Sequence, residues 1–353
     1  MSTGGQRDQA QLRSGIERWL AAYPDLVPGG ATGGALEVVG LTHAEGGMAN
    51  ETVLVDLGRR HRGIVLRLSP LEATFPDYDL SLQAVVQNVV AAAGIAAPAP
   101  TVIVDDPQWI GTPFLVMPRV SGFIPGPAPV FDATIIAAND ATQRTFQDGL
   151  IETMVDIHSL DPRSTGLAEI LVGPTLRDSL DYWRAYVEWA GDGDPLGALS
   201  DAIDWCFANQ PRSDANRSVL LWGDPRLGNL VFDAAGAVHA VLDWDLAAVG
   251  PPEADLGWYF GLDFMMEQLF GQRVPGFRER NEAVAYYEAR SGRAVVDLDF
   301  YEVFALVRAL AINDRHQRIT VAGLPPKKWS GAEARRRGNP MIEVLSQRMG
   351  ASL

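Results

Sequence analysis

The most informative segment of the sequence, here called the decisive loop, is Leu220-Leu-Trp-Gly-Asp-Pro-Arg-Leu-Gly-Asn229. Val241-Leu-Asp-Trp-Asp245 follows it after eleven residues. Asp224 and Asn229 are five positions apart, and Asp243 comes fourteen positions after Asn229. The apolar runs that flank these polar residues are short and typical of β-strands. They occupy residues 219–221, 229–232 and 237–242. The pattern therefore predicts a polar loop, a strand–turn–strand segment and a second polar position at its end.

The residue types in this pattern suit phosphoryl transfer. A carboxylate such as Asp224 is able to accept the proton of a substrate hydroxyl and to direct that hydroxyl at phosphorus. Mg²⁺ prefers oxygen ligands, and Asn229 and Asp243 offer one amide and one carboxylate. The order Asp-x-x-x-x-Asn and then Asp on the next hairpin is that of kinase catalytic loops. Asp-x-x-x-x-Asn alone is common by chance, but Asp243 and the later Gly250-x-x-x-x-Asp255 make a coincidental loop the weaker alternative.

Composition narrows the class of protein. The chain has 353 residues, of which 47% are hydrophobic, as expected of a globular protein with one large domain or two lobes. The single cysteine, Cys206, excludes an intramolecular disulfide and most metal-thiolate sites. The net charge of −15 argues against a nucleic-acid partner and is compatible with a cationic substrate, although acidity that serves only solubility is the simpler alternative.

The sequence also predicts a protein without a membrane partner. No apolar run reaches the length that a membrane-spanning helix needs. The first eleven residues are polar and Gly-rich, and they do not resemble a signal peptide. We therefore expect a cytoplasmic location.

The first 120 residues predict a helix followed by a small sheet. Residues 1–34 contain an amphipathic helix at 12–23 and a connection rich in glycine and proline. Residues 35–120 form a second region, in which one helix at 79–93 interrupts a series of strands. The predicted strands are 36–41, 52–57, 63–68, 101–104 and 114–117.

The remaining residues, 121–353, predict a helical region that contains the decisive loop. Long helical patterns cover 142–160, 176–190 and 196–209, and the segment after the loop is helical and rich in aromatic residues.

The decisive loop and its surroundings resemble the aminoglycoside-phosphotransferase family, which has the protein-kinase-like fold. The likeness includes Arg226-Leu-Gly-Asn, Asp243-Trp-Asp and Gly250-Pro-Pro-Glu-Ala-Asp255-Leu. These runs are most similar to the branch whose members are sometimes fused to acyl-CoA dehydrogenases. The resemblance extends from Gly40 to Arg318. It implies an α+β, two-lobed fold with a small β-rich N-lobe and a larger helical C-lobe.

The resemblance gives roles to residues of the decisive loop. It implies that Asp224 is the base and that Asn229 and Asp243 are the Mg²⁺ ligands. Arg226 lies where protein kinases often have a lysine that contacts the transferred phosphoryl group, and a guanidinium there could clamp the γ-phosphate. A structural salt bridge is the alternative for Arg226. The family usually has His before Gly-Asp, whereas this chain has Trp222, which we expect to pack beneath the loop.

Four further features receive mainly structural interpretations. By resemblance, Asp255 accepts backbone N–H groups of the loop. Asp245 assists the metal or, as we favour, has a structural role, and His158 is expected to make a structural hydrogen bond. Helix packing is the favoured role of each of the aromatic residues that could line a substrate cleft, namely Tyr182, Trp183, Tyr186, Trp189, Trp258 and Tyr259.

Nucleotide binding is expected in the N-terminal half. Gly46, Gly47 and Asn50 lie between the first two predicted strands, where kinases fold a loop over the phosphates, and glycines let backbone N–H groups approach an anion. A plain hairpin is the alternative. Arg67 stands where kinases have a phosphate-binding lysine, and Gln83 is the candidate for the usual glutamate partner. We expect a hydrogen bond between Arg67 and Gln83, with a pairing of Arg67 to a local acid as the alternative.

Residues 114–122 resemble the hinge that connects the two kinase lobes. In that register the Pro118 carbonyl and the Val120 N–H face the adenine edge, and proline is tolerated because only its carbonyl is used. Val65 and Val231 are expected to lie on either side of the adenine ring, or else to be plain core residues.

We therefore expect a Mg²⁺- and ATP-dependent phosphotransferase, with GTP as the alternative nucleotide, that acts on a hydroxyl of a small molecule. An acyl-type hydroxyl is favoured over an aminoglycoside. The competing hypothesis is a catalytically weak, nucleotide-binding pseudokinase with a regulatory role, which Arg67 and Gln83 motivate and the intact Asp224, Asn229 and Asp243 oppose.

Overall fold

The computed structural model describes residues 7–27, 36–44, 50–58, 63–70, 72–191, 197–212, 217–320 and 340–350. The chain divides into two compact units, Met1–Ser121 and Gly122–Leu353. Within the described ranges, no helix combines the length and the apolar character that a membrane span requires.

The first unit contains a five-stranded antiparallel sheet with the strand order β1-β2-β3-β5-β4. All five strands lie within a few residues of the predicted runs. They are β1 (Val38–His43), β2 (Glu51–Leu57), β3 (Ile64–Leu68), β4 (Val102–Val104) and β5 (Phe114–Pro118).

Two helices accompany this sheet. Helix α1, Gln9–Ala22, begins three residues before its predicted start because Asp8 accepts hydrogen bonds from the first turn. Helix α2, Leu80–Ala92, begins after Asp79, which caps it in the same way. The buried stripe of α1 lies in one apolar cluster with one face of the sheet, and the start of α2 lies in a second cluster with Val65.

Alternation along β3 sorts its side chains between these two clusters. Ile64, Leu66 and Leu68 belong to the α1 cluster, and Val65 belongs to the α2 cluster. Because successive side chains of a strand point to opposite faces, Arg67 lies on the same face as Val65. The strand on which this shared face was predicted is present as β3.

The second unit is mainly helical. Its centre is formed by α7 and α9, which approach so closely that a Cβ atom on Gly257 would lie 2.5 Å from the backbone carbon of Tyr301. The helices are α3 (Ala133–Ala137), α4 (Asp140–Ser159), α5 (Leu176–Gly191), α6 (Ala198–Asn209), α7 (Glu253–Phe270), α8 (Arg280–Ser291), α9 (Leu298–Thr320) and α10 (Pro340–Met349).

Two small antiparallel sheets interrupt these helices and hold the decisive loop. Strand β6 (Val219–Leu221) pairs with β9 (Ala248–Gly250), and β7 (Leu230–Phe232) pairs with β8 (Val238–Val241). The loop between β6 and β7 contains Asp224, and the segment between β8 and β9 contains Asp243. The pairing of β6 with β9 therefore closes a frame around both polar positions.

Candidate active site

The loop that contains the predicted base begins directly after β6. Gly223 has a φ of +92°, and a Cβ atom there would lie 1.9 Å from the carbonyl oxygen of Leu246. Only glycine tolerates this close approach of two backbone segments. After Asp224 the chain makes a 3₁₀ turn, Leu227–Asn229, that leads into β7. Gly223 therefore permits the turn that presents Asp224.

The Asp224 carboxylate accepts hydrogen bonds at both of its oxygens. Trp258 Nε1 donates to Oδ1 at 2.6 Å. Asn229 Nδ2 and Arg226 Nε donate to Oδ2 at 2.8 Å and 3.0 Å. The side chain of Asp224 is 15% exposed. Because a carboxylate has about four acceptor sites, these three donors fix its orientation and still leave room for an incoming hydroxyl group.

Asn229 connects the predicted base to the predicted metal ligand. Its amide nitrogen also donates to the backbone carbonyl of Asp224 at 3.0 Å. With the nitrogen held by two acceptors of Asp224, the amide oxygen is the atom that remains for a cation. The backbone carbonyl of Asn229 accepts a hydrogen bond from Leu242 N at 2.8 Å, next to Asp243.

Asp243 stands in an uncommon backbone conformation at the end of β8. Its φ is +62°, in the left-handed region that Asp and Asn tolerate better than most residues. The indole nitrogen of Trp222 donates to the carbonyls of Leu242 and Asp243 at 2.9 Å and 3.1 Å. Trp222 is fully buried, so it packs beneath the loop as predicted and also holds the backbone that presents Asp243.

Arg226 brings positive charge to the same group of residues. It forms the salt bridge with Asp224 that was the structural alternative for this residue. The pKa of the Arg226 guanidinium is raised, first by the charge of Asp224 and to a smaller extent by that of Asp243. The site therefore contains two carboxylates and a guanidinium that stays charged.

The oxygen atoms of Asn229 and Asp243 fit a hard divalent cation. Mg²⁺ is usually bound by one or two protein oxygens and completes its coordination with phosphate and water. Across the described ranges, no three His, Cys, Asp or Glu side chains form a metal-binding group. A two-ligand site of this kind requires no such group.

Asp255, in the first turn of α7, supports the loop from below. It accepts hydrogen bonds from the backbone nitrogens of Trp222 and Gly223 at 2.8 Å and 2.9 Å, as the resemblance implied. His158 Nε2 lies 3.1 Å from the same carboxylate, and His158 Nδ1 lies 2.8 Å from Tyr287 Oη. The structural role predicted for His158 is therefore confirmed.

Sequence reasoning missed two residues of this site. Trp258 was assigned to helix packing, whereas its indole nitrogen contacts Asp224. A signal was available, because Trp258 follows Asp255 by three positions and shares its side of α7. Arg308 of α9 was not singled out, yet its guanidinium donates to the Gly223 carbonyl at 3.3 Å. A signal was available here too, because Arg308 is the one polar residue of the run Val303–Ile312, and a helix that is apolar on all sides is buried.

One predicted contact of the sheet unit is wrong. The carbonyl oxygen of Gln83 is buried and has no hydrogen-bond partner in the part of the chain that the structure describes. Gln83 could accept from Arg67 only through that oxygen, so the expected Arg67–Gln83 hydrogen bond is not formed. Arg67 is itself only 9% exposed and makes other contacts.

The other predicted nucleotide-binding positions are distributed over several elements. Pro118 lies opposite Ile64, and the next hydrogen bond runs from Arg119 N to Gly63 O. This makes Pro118 a non-hydrogen-bonded position of the β3–β5 ladder, where proline loses no bond. Val120 follows β5.

Val231 and Asn50 lie among the described residues. Val231 is buried in β7 of the second unit. Asn50 immediately precedes β2, and Gly46 and Gly47 lie outside the described residues.

Comparisons of sequence place the chain among known proteins. The profile of the Phosphotransferase enzyme family (APH) matches residues 40–297. Acyl-CoA dehydrogenase family member 11 of Gallus gallus is 31% identical over 254 residues, which are 71% of this chain and 30% of that protein. Acyl-CoA dehydrogenase family member 10 of Mus musculus is 27% identical over 293 residues, 79% of this chain and 26% of that protein. The chain therefore spans less than a third of these relatives.

Solved structures agree at the level of the fold. A Ralstonia eutropha protein described as a candidate aminoglycoside phosphotransferase has a TM-score of 0.70 at 21% identity and covers 96% of this chain and 98% of its own. Choline kinase from Cryptosporidium parvum has a TM-score of 0.58 at 14% identity and covers 95% of each chain. The GDP and kanamycin complex of APH(2")-IIIa has a TM-score of 0.56 at 14% identity, with 94% and 96% covered.

These matches confirm the predicted α+β, protein-kinase-like fold and the likeness to proteins named as acyl-CoA dehydrogenases. Because the family profile covers well over half of its residues, the chain belongs to the phosphotransferase enzyme family, APH.

Proposed function

We propose that this protein transfers the γ-phosphoryl group of ATP to a hydroxyl of a small molecule, with Asp224 as the general base. The observation that supports this proposal most strongly is the hydrogen-bonded group of Asp224, Arg226 and Asn229, joined through Leu242 to Asp243. This group contains a positioned proton acceptor, the Asp224 carboxylate, and a positive charge, the Arg226 guanidinium. It also contains the two side chains proposed as Mg²⁺ ligands, Asn229 and Asp243. Membership of the phosphotransferase family supports the same reaction class.

In the proposed reaction, the substrate hydroxyl donates its hydrogen bond to the remaining acceptor site of Asp224. As the hydroxyl oxygen forms its bond to the γ-phosphorus, the bond from that phosphorus to the β–γ bridging oxygen breaks and ADP leaves. The hydroxyl proton passes to Asp224. The Arg226 guanidinium lies beside the base and stabilises negative charge on the transferred group.

Asn229 and Asp243 are the residues that would hold Mg²⁺. The bound cation would neutralise phosphate oxygens. The protein's own contribution is rigidity, because Trp222 fixes the backbone of Asp243 and Asp224 fixes the amide of Asn229. A rigid arrangement lowers the entropy cost of aligning the reacting atoms.

Nucleotide binding is proposed for the sheet unit. Arg67 is assigned to the α- and β-phosphates, and the Pro118 carbonyl and Val120 N–H to the adenine edge. The free ladder position of Pro118 supports this assignment, because neither its carbonyl nor its nitrogen is bonded to β3. GTP is the alternative nucleotide, and relatives solved with GDP motivate testing it.

The acceptor is proposed only as a small hydroxylated metabolite. The names of the solved relatives include kanamycin and choline, which are chemically unlike, so the fold does not identify the acceptor. An acyl-type hydroxyl is favoured over an aminoglycoside because the similar full-length proteins are named as acyl-CoA dehydrogenases.

The test has two stages. Thermal unfolding is first measured with ATP or GTP, with and without Mg²⁺, and a Mg²⁺-dependent rise in Tm is expected for at least one nucleotide. The same protein is then incubated with MgATP and a library of hydroxylated metabolites, and phosphorylated products are detected by mass. Asp224→Asn serves as the matched control. Product that forms equally with this variant would show that Asp224 is not the base.

A catalytically weak, nucleotide-binding protein is the second candidate, and the missing Arg67–Gln83 hydrogen bond favours it. The two-stage test separates the candidates. A Mg²⁺-dependent Tm shift without any phosphorylated product across the library would support the pseudokinase, whereas product formation would exclude it.

A further inference from the structure

A buried guanidinium lies behind the predicted base. Arg308, on α9, is 6% exposed. Its Cζ atom lies 4.6 Å from the ring centroid of Trp258 and 4.9 Å from that of Trp183. Its Nη2 donates to the Gly223 carbonyl at 3.3 Å, while its Nε is buried without a hydrogen-bond partner among the described residues. Arg308 therefore depends largely on aromatic faces and one backbone carbonyl.

Arg308 is nevertheless charged near neutral pH. Burial lowers the pKa of its guanidinium to about 10, and the charges of Asp255 and then Asp224 oppose that lowering. In the described ranges no carboxylate oxygen lies within salt-bridge distance of it. A buried charge of this kind is costly, so its position calls for an explanation other than pairing.

Trp258 connects this cation to the base. One face of its indole contacts the Arg308 guanidinium, and its Nε1 donates to Asp224 Oδ1 at 2.6 Å. A cation over an indole draws electron density from the ring, and the N–H at the ring edge becomes a stronger donor. The adjacent carbonyl of Gly223 is held by the same guanidinium. Arg308 therefore acts on Asp224 twice, through Trp258 on its carboxylate and directly on the peptide that precedes it.

We propose that Trp258 and Arg308 are positioning residues for the base: Trp258 holds one carboxylate oxygen of Asp224, and Arg308 holds the Trp258 ring and the Gly223 carbonyl. This inference rests on the proposed function of Asp224. It predicts that loss of either residue slows the chemical step and leaves nucleotide affinity nearly unchanged, because neither residue belongs to the nucleotide-binding set. A purely structural role predicts changes in stability without this separation.

The first experiment does not depend on activity. The protein contains nine tryptophans. In ¹H–¹⁵N spectra of ¹⁵N-tryptophan-labelled protein, the Trp258 indole signal is identified by its loss in Trp258→Phe. A short hydrogen bond to a carboxylate moves an indole proton downfield, so Asp224→Asn and Arg308→Met should both move this signal upfield. An unmoved signal in both variants would overturn the proposal, whatever the outcome for the proposed function.

The second experiment measures turnover with MgATP and the acceptor that the library screen identifies. Trp258→Phe keeps an aromatic ring over Arg308 but removes the donor, and Arg308→Met removes the cation. Loss of a hydrogen bond that orients a functional side chain typically lowers activity by about 10- to 100-fold, and we expect kcat to fall in this range with KM for ATP changed by less than about 3-fold. Arg308→Lys keeps the charge and should recover part of the loss.

The chain supplies a matched control for the loss of an arginine–tryptophan contact. Arg315, on the same helix, has its Cζ atom 4.4 Å from the ring centroid of Trp189. Arg315→Met removes a similar contact about two helical turns from Arg308 and should leave kcat unchanged. If Trp258→Phe and Arg308→Met lower kcat no more than Arg315→Met does, the positioning role is wrong. Should Arg308→Met fail to fold, Trp258→Phe and Arg308→Lys still decide the question.

Discussion

Asp224, in the loop between β6 and β7, and Gln83, on α2 of the sheet unit, differ in how their polar atoms are bonded. In the loop, the Asp224 carboxylate accepts three hydrogen bonds, and Asn229 makes two through a single nitrogen. In the sheet unit, the buried Gln83 oxygen has no partner among the described residues. The loop is organised by the protein's own contacts, so its chemistry can be inferred from geometry. Gln83 stands at a family position without the contact that the family pattern implies.

This difference determines whether the functional role of each residue can be inferred from its contacts. A residue whose orientation is fixed by its neighbours has a defined role before any ligand binds. A residue that shares only a sequence position with a functional group has a role that must be measured. We therefore expect large functional effects in the loop and small effects at Gln83.

The largest effect is expected for Asp224→Asn. The amide keeps the shape of the side chain but cannot accept the proton, and general-base catalysis contributes about 10²- to 10⁴-fold. Phosphoryl transfer to the identified acceptor should fall by about this factor, while calorimetric affinity for MgATP stays within a few-fold. Asp201→Asn, an exposed change on α6, is the control and should have no effect.

The next effect is expected for Asp243→Asn. Asparagine also tolerates the left-handed conformation, so the φ of +62° is preserved and mainly the charge is lost. A hard cation binds a neutral amide less well than a carboxylate, and we expect a loss of about 10-fold or more in ATP affinity with Mg²⁺. Titration calorimetry with and without Mg²⁺ checks this. Equal affinities under both conditions for both proteins would exclude a ligand role.

The loop around Asp224 was predicted well from the sequence because its polar residues lie close together along the chain. The spacing of Asp224, Asn229 and Asp243 required a strand, a turn and a strand, and the structure contains all three as β7, the turn and β8. Strand β9, Ala248–Gly250, was missed because it has a single β-branched residue, Val249, ends in a glycine and leads directly into Pro251.

The remaining parts of the site depend on contacts between distant positions. Trp258 is 34 positions from Asp224, and Arg308 is 85 positions from Gly223. No pattern in one sequence shows such contacts. The Gln83 prediction was wrong for the opposite reason, because it relied on the position of a residue in a family pattern and not on a partner in this chain.

Arg67→Ala tests whether the sheet unit binds phosphate. Arg67 shares a strand face with Val65, and a guanidinium beside phosphates contributes to ATP but not to adenosine affinity. We expect ATP affinity to fall by about 10-fold, which is 1.4 kcal/mol, with adenosine affinity unchanged.

Titration of both ligands against the wild type and Arg67→Ala gives the answer. Arg18→Ala, an exposed change on α1, is the control for lost positive charge. An equal loss for both ligands, or no loss for either, would make Arg67 structural and would favour the pseudokinase.

The smallest effect is expected for Gln83→Met, and its neighbour Gln87 gives the contrast. Gln87, one turn further along α2, donates to the Pro98 carbonyl and to Thr101 Oγ1. Gln87→Met removes these bonds and should lower the free energy of unfolding by about 1–2 kcal/mol. Gln83→Met removes an amide oxygen that has no partner among the described residues, so the free energy of unfolding should stay within about 0.5 kcal/mol or rise.

Urea unfolding of both variants, combined with ATP titration, tests this contrast. Both substitutions place the same side chain on the same buried face of α2, at positions that are 6% and 4% exposed in the wild type. Differences between the variants therefore report mainly the lost hydrogen bonds. If Gln83→Met is destabilised as much as Gln87→Met, its amide has a partner in solution. If Gln83→Met keeps its stability but loses ATP affinity, the Gln83 amide contacts the nucleotide directly. Its hydrogen bond would then form only when the ligand binds, whereas those of Asp224 are made by the protein itself.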